Sequence, residues 1–233
     1  MSSFEAAAST LSGPAAERTA FLKKVGLFTF LGLFGASVLG VLSTYLIVPT
    51  VASMGQYGVM IFFFGTFAIA HWVARSMVYG SMKLPGFILA VAAEGVSLGL
   101  ILWVTVASLG MAGGMGLIVQ CMMITAATAG GMLLYVWFNK SEFSWLKAGL
   151  AMVTVPMLFA MVLGAVWPLG GVLGLGITAL FVLVSAAGLL YRLNHVVHEL
   201  DTDQHIEGAY EITMGILILF WNLLSLLLKL TRR

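Results

Sequence analysis

Residues 85–109 read PGFILAVAAEGVSLGLILWVTVASL. Twenty-five consecutive positions hold one ionisable side chain, Glu94, and about 20 apolar residues suffice for a helix to cross a bilayer. The stretch lacks the period-2 alternation of a membrane barrel strand, so it predicts a transmembrane helix. Working outward, comparable apolar runs occur at 25–48, 57–79, 114–138, 146–168, 170–191 and 212–230. Polar or Gly/Pro breaks separate them at Pro49 to Gln56, Gly80 to Lys83, Gly110 to Gly114, Asn139 to Lys147, Pro168 to Gly171 and Arg192 to Glu211. The expectation is an all-α integral membrane protein with a seven-helix bundle at 23–233 and a polar, mobile N-terminal tail at 1–22.

Composition agrees. Of 233 residues, 61% are hydrophobic and 9% charged, against about 25% charged in soluble domains, and the mean hydropathy is +1.07. A soluble enzyme, a nucleic-acid-binding module and a disordered scaffold are excluded. The net charge of +2 is spread over chain ends and loops and does not point to nucleic acid. The lone Cys121 forms no intramolecular disulfide. No signal-peptide pattern opens the chain; a retained first span is expected.

Lys and Arg placement sets the orientation. With the N-terminus inside, Arg18, Lys23, Lys24, Arg75, Lys83, Lys140, Lys147 and Arg192 face inward, and Lys229, Arg232 and Arg233 outward. That asymmetry predicts a cytoplasmic N-terminus. Gly95 and Gly99 form a GxxxG, and Gly32, Gly35 and Gly40 line the first span; such small residues serve close helix packing rather than a ligand. Pro156, within 146–168, is a point at which that span can kink.

Ionisable groups at membrane depth carry the functional signal. A carboxylate at the bilayer centre costs roughly 2.5–3.5 kcal/mol on insertion scales, so Glu94 must face the interior, carry a proton or have a partner. The turn near Met82 and Lys83 makes 57–79 and 85–109 antiparallel neighbours. His71 and Glu94 lie eleven to twelve residues either side of it, hence at about the same depth, and Arg75 shares the face of His71. A proton-sensitive His71/Arg75/Glu94 cluster is expected, against the alternative that Arg75 snorkels and a neutral Glu94 joins helices.

A second polar stretch, RLNHVVHELDTDQHIEGAYE at 192–211, holds three of the four histidines and five of the nine acids. His195, His198, Glu199 and Thr202 share a helical face. His198, Asp201, Asp203 and His205 are weak candidate metal ligands, but H-x-x-H-E is not the H-E-x-x-H zinc motif. The reading is a solvated acidic loop without metal. No nucleophile elbow, P-loop or dinucleotide fingerprint occurs, so neither enzyme activity nor a cofactor is expected.

Several segments resemble the Bax inhibitor-1/YccA family, the transmembrane Bax inhibitor motif proteins. Ala93-Glu94-Gly95-Val96-Ser97-Leu98-Gly99 resembles that family's EG-x-x-LG stretch, and Asn139-Lys140-Ser141-Glu142-Phe143-Ser144-Trp145-Leu146 its TK-x-DFS-x-L loop. Tyr191-Arg192-Leu193-Asn194 resembles Y-D-x-N/Q, and Leu219-Phe220-Trp221-Asn222-Leu223-Leu224 resembles D-x-x-NLF. The resemblance implies a bundle with a central helix wrapped by the others. It also implies activity as a pH-sensitive calcium leak, a stress suppressor or a modulator of a membrane-bound protease. In the leak scheme two aspartates share a proton and gate the pore with an arginine, which Arg75 matches. Here Arg192 and Leu219 stand where the aspartates belong. Taking Asp201-Thr202 as the missing pair would draw Arg192, Asn194, His195, His198 and Glu199 into the bilayer and is rejected on cost.

Two readings follow. One is a proton-modulated cation leak, with calcium as the transported ion, Glu94 as interior carboxylate, His71 and Arg75 as modulators, and Asn222 as a polar residue on the last span. The other is a non-conducting subunit that binds a membrane protease or another membrane complex through its tail, its 192–211 stretch or its lipid face. Compact loops, the lack of a retention signal and the bacterial character of the motifs suggest a bacterial inner membrane.

Overall fold

The computed structural model describes residues 3–139 and 171–232, with 146, 148–150, 152, 153 and 156 between them; for 3–15 it describes the backbone alone. The run expected at 146–168, the loop before it and the bend expected at Pro156 therefore lie largely outside the described residues. Apart from short connections, the described residues are helical, with no strand among them. The helices are α1 (Ser3–Leu46), a short α2 (Val48–Ser53), α3 (Gly55–Val78), α4 (Lys83–Phe138), α5 (Gly171–Glu199) and α6 (His205–Thr231). Five of them are long and apolar enough to cross a membrane, α1 through its Ala16–Leu46 part.

At 56 residues, α4 is far longer than one crossing requires. It breaks at Gly110, where φ is 71° and ψ 170°, a conformation that glycine alone adopts without strain. Its limbs, 83–109 and 111–138, fold back on each other. A Cβ at Gly114 would lie 2.8 Å from Cα of Val106, so this corner closes only around small residues. These limbs coincide with two of the expected runs.

The first limb of α4 is enclosed on most sides, burying Phe87, Ala90, Val91, Ala93, Glu94, Gly95, Ser97, Leu98 and Gly99. It packs with α1 and α6 in a core that includes Ala36, Ala209, Tyr210, Met214 and Leu217. In lipid the contact surfaces are no more apolar than the solvent, so close packing and interhelical hydrogen bonds hold the helices. The α1–α4 seam shows both. A Cβ on Gly95 would meet Cα of Ala36 at 2.9 Å, and one on Gly99 would meet Cβ of Ser43 at 2.6 Å. Ser43 Oγ donates to the Val96 carbonyl at 2.8 Å, and Thr44 Oγ1 to that of Gly99 at 3.2 Å.

Two expectations change. Residues 16–22 are not a mobile tail but part of α1: Phe21 is 1% exposed and packs with Val25, Val196 and Leu200. The stretch 192–211 is not a solvated loop either. The run expected to end at 191 continues to Glu199 through a π-helical turn, His195–Glu199, and the next begins at His205, leaving 200–204 between them. The physical reason is that Val196, Val197 and Leu200 are buried, extending an apolar face past the first polar residues. Arg18 closes the end of α5 by donating to the carbonyls of Val196, at 2.8 Å, and Leu200, a favourable place for a cation.

Candidate functional site

The rearranged end of α5 carries its polar residues into contact with α3 and α6. Arg192 and His195 lie one turn apart on α5. Glu211 lies in the second turn of α6, one turn beyond the buried Glu207. The Glu211 side chain is only 14% exposed. Its Oε2 lies 3.0 Å from Nδ1 of His195, and its Oε1 accepts a hydrogen bond from the Tyr79 hydroxyl at the end of α3. Arg192 donates to the Glu211 carbonyl at 3.4 Å. Its side chain crosses Gly215, where a Cβ would come within 3.4 Å of Arg192 Cδ.

From this junction the arrangement runs in two directions. Outward, Nε2 of His195 is 3.9 Å from the Glu199 carboxylate, which is 54% exposed, and Tyr191 stacks on the imidazole at 6.1 Å. Inward, the charge of Arg192 acts on Glu94, His71, Tyr79 and Tyr210. Tyr210 donates to the carbonyl of Ala70 at 3.2 Å, within the π-turn Ile69–Val73 of α3. Such turns frequently mark functional positions.

Glu94 and His71 both lie in the field of Arg192, and Arg75, one turn from His71 on α3, acts on His71 and Arg192 alike. Glu94 is 6% exposed. His71 stands edge-on to Phe67 at 4.3 Å, with Nε2 buried and without a hydrogen-bond partner among the described residues. Arg75 is on the exposed rim, its guanidinium 5.6 Å from the centre of the Tyr79 ring. Asn222 is eleven residues beyond Glu211 on α6, about 16 Å along the helix, and so lies apart from the cluster. Leu219 is 2% exposed among Val136, Leu189, Leu193 and Val197, so that position belongs to an apolar core. Arg192, by contrast, is at the centre of the site.

The metal candidates do not converge. His198 Nε2 meets the Val136 carbonyl at 3.1 Å, and His205 packs against Phe28 at 5.7 Å. Asp201 and Asp203 are exposed. Among the described residues no three His, Cys, Asp or Glu side chains come together as metal ligands. A separate ion pair joins Lys83 to Glu207 at 2.6 Å, tying the start of α4 to the first turn of α6.

Sequence reasoning missed Tyr79, His195 and Glu211 as members of one site. A signal existed for α6: Ile206, Ala209, Tyr210, Thr213 and Leu217 keep helical spacing across the supposed boundary at 212. Tyr79 had none, because a tyrosine after an apolar run reads as an interface residue.

No curated protein matches the chain in sequence comparison. A family model described as inhibitor of apoptosis-promoting Bax1 matches residues 18–232, nearly the whole length, including every residue of the site. Long apolar helices and that match together make this an integral membrane protein, and the chain belongs to the Bax inhibitor-1 family.

Proposed function

We propose that this protein is a proton-modulated cation leak, with calcium as the ion to test first, and that Arg192 replaces the shared-proton aspartates of its family. The observation that carries the reading is the burial of Glu94 on the most enclosed helix, within reach of the charge of Arg192. An intramembrane carboxylate is costly and marks a functional position by default. In this scheme Arg192 is a tethered cation in the place a permeating ion would occupy. Glu94 supplies the interior carboxylate that a permeating ion needs, while the charge of Glu211 helps hold Arg192 in place, so that protonation of Glu211 weakens that hold. The protein then has seven spans, a cytoplasmic N-terminus and a place in a bacterial inner membrane, in keeping with its apolar runs and Lys/Arg asymmetry.

One observation favours a second reading. The buried guanidinium of Arg192, held against the Glu211 carbonyl, repels a divalent cation, which suits a non-conducting subunit of a membrane protease or another membrane complex.

Calcium flux into liposomes carrying the purified chain, from about pH 6 to pH 8, separates the two. Flux that varies with pH and is lost in Glu94→Gln is expected. Flux no greater than in empty liposomes, from folded protein, would overturn the leak and direct the search to a stoichiometric membrane partner.

A further inference from the structure

We propose that Glu199, His195 and Glu211 form a proton relay that connects the aqueous face at the Arg18 end of the bundle to the interior cluster around Arg192. The inference rests on the proton-modulated reading above and names the route that the proton takes.

The geometry is that of a shuttle. One imidazole has a carboxylate at each nitrogen: Glu211 at Nδ1, 3.0 Å away, and Glu199 at Nε2, 3.9 Å away. Exposure falls along the series, from 54% at Glu199 through 26% at His195 to 14% at Glu211. The outer carboxylate therefore meets water, and the inner one is largely screened from it. The longer gap closes by rotation of the exposed Glu199 side chain. Tyr191 stacks on the ring and fixes its plane, and the π-turn at His195–Glu199 sets both relay residues at the end of α5.

Each transfer balances. With Glu211 ionised, Nδ1 of His195 carries the proton and donates it to Glu211. A proton taken from water by Glu199 passes to Nε2, giving an imidazolium. The Nδ1 proton then leaves for Glu211, which becomes the neutral acid, and Glu199 is again a carboxylate. The ring, now protonated at Nε2, regains its first tautomer when the relay runs in reverse: Glu211 returns its proton to Nδ1, and Nε2 releases its own to Glu199 and water. No redox partner or cofactor is needed.

Charged and titratable groups face the relay from α1, α3, α5 and α6: Arg18 of α1 donates to the carbonyls of Val196 and Leu200 beside it. Tyr79 from α3 donates to Glu211, with Arg75 over its ring. Arg192 from α5 lies against the Glu211 carbonyl, and Tyr191 lies on the imidazole. Tyr210 on α6 stands edge-on to Tyr79 at 6.3 Å. Protonating Glu211 removes the negative charge nearest Arg192 and leaves Glu94 as its remaining interior partner. The relay thereby couples the pH at the Arg18 face to the charge balance at Glu94.

The test uses the full chain in lipid nanodiscs and does not depend on flux. After a rapid pH drop in weak buffer, time-resolved infrared spectroscopy follows the protonated-carboxyl band that is absent from Glu211→Gln. The expected result is that the band rises roughly tenfold more slowly in His195→Gln, with imidazole restoring the native rate. Glu199→Gln, a change on the exposed side that leaves the fold untouched, is expected to slow it about threefold. Equal rates in native protein and Glu199→Gln would overturn the relay, as would the lack of any Glu211-dependent band. A relay that operates in protein without calcium flux would leave this inference standing while the leak reading falls.

Discussion

Two helix junctions in this molecule solve the same problem, joining helices in lipid, with opposite chemistry. At the α1–α4 seam, Gly95 and Gly99 bring backbones into contact with Ala36 and Ser43, and two hydroxyls donate to carbonyls across the gap. The groups that close it are uncharged and do not titrate between pH 5 and pH 9. Where α3, α5 and α6 meet, the joining groups are Tyr79, Arg192, His195 and Glu211, all charged or ionisable, and in the scheme proposed above a single proton alters the balance. On that reading the seam stays closed and the second junction responds. The π-turns of α3 and α5 both fall at the responsive junction, where helix geometry departs from regularity.

The comparison is broken most severely at the seam. Gly99→Val places methyl groups where even a Cβ would meet Ser43 at 2.6 Å, so overpacking is expected to cost roughly 3 kcal/mol. Unfolding of the detergent-solubilised protein measures this, and whatever protein remains folded should keep the native pH response. Glu211→Gln should do the reverse. Its folding stability is expected to change by less than about 1 kcal/mol, because the amide oxygen still accepts from Tyr79 while its NH2 donates to Nδ1 of the other His195 tautomer. Its flux should match the low-pH native level across the whole pH range, since it mimics the protonated acid. A pH response equal to the native one would show that the responsive group is elsewhere.

Smaller changes sharpen the contrast. Tyr79→Phe removes one donor from Glu211 and should cost about 1 kcal/mol, while moving the midpoint of the pH response upward. The sign follows from the lost hydrogen bond, which favoured the ionised carboxylate, so the acid binds its proton at a higher pH. Ser43→Ala, at the seam, should cost only about 0.6 kcal/mol, the average for an interhelical hydrogen bond in a membrane, with no movement of that midpoint. A midpoint shift in Ser43→Ala would mean that the two junctions are coupled.

Much of the architecture was legible because lipid imposes a simple demand: each crossing must be long and apolar. Glu94 was legible for the same reason, as a costly exception inside such a run. The ends of α5 and α6 were not. Arg192, Asn194 and His195 mark a span boundary if charge is counted along the chain, yet Val196, Val197 and Leu200 continue the buried face on the other side of the helix. Arg18 secures that extension from 178 residues away, a distance no local pattern reports. The site was half legible. Counting from the turn places His71 and Glu94 at one depth and Arg75 on the face of His71, but the group near them, Arg192, reads in the sequence only as a replaced gate residue. Glu211 was assigned to water because it follows four other acids.

The corner at Gly110 bears on how the protein is made. Limbs of 27 and 28 residues, counted from 83–109 and 111–138, meet through neighbours such as Thr105, Val106 and Gly114, which are adjacent in the chain. Such a helical hairpin needs nothing translated later in order to close, so it can enter the bilayer as a unit during synthesis. Glu94 would then enter the membrane about 100 residues before Arg192 and about 120 before Glu211 are translated. During that interval the nascent hairpin holds an acid without its counter-charge. The final assembly step is the arrival of α5 and α6, which supplies the cation.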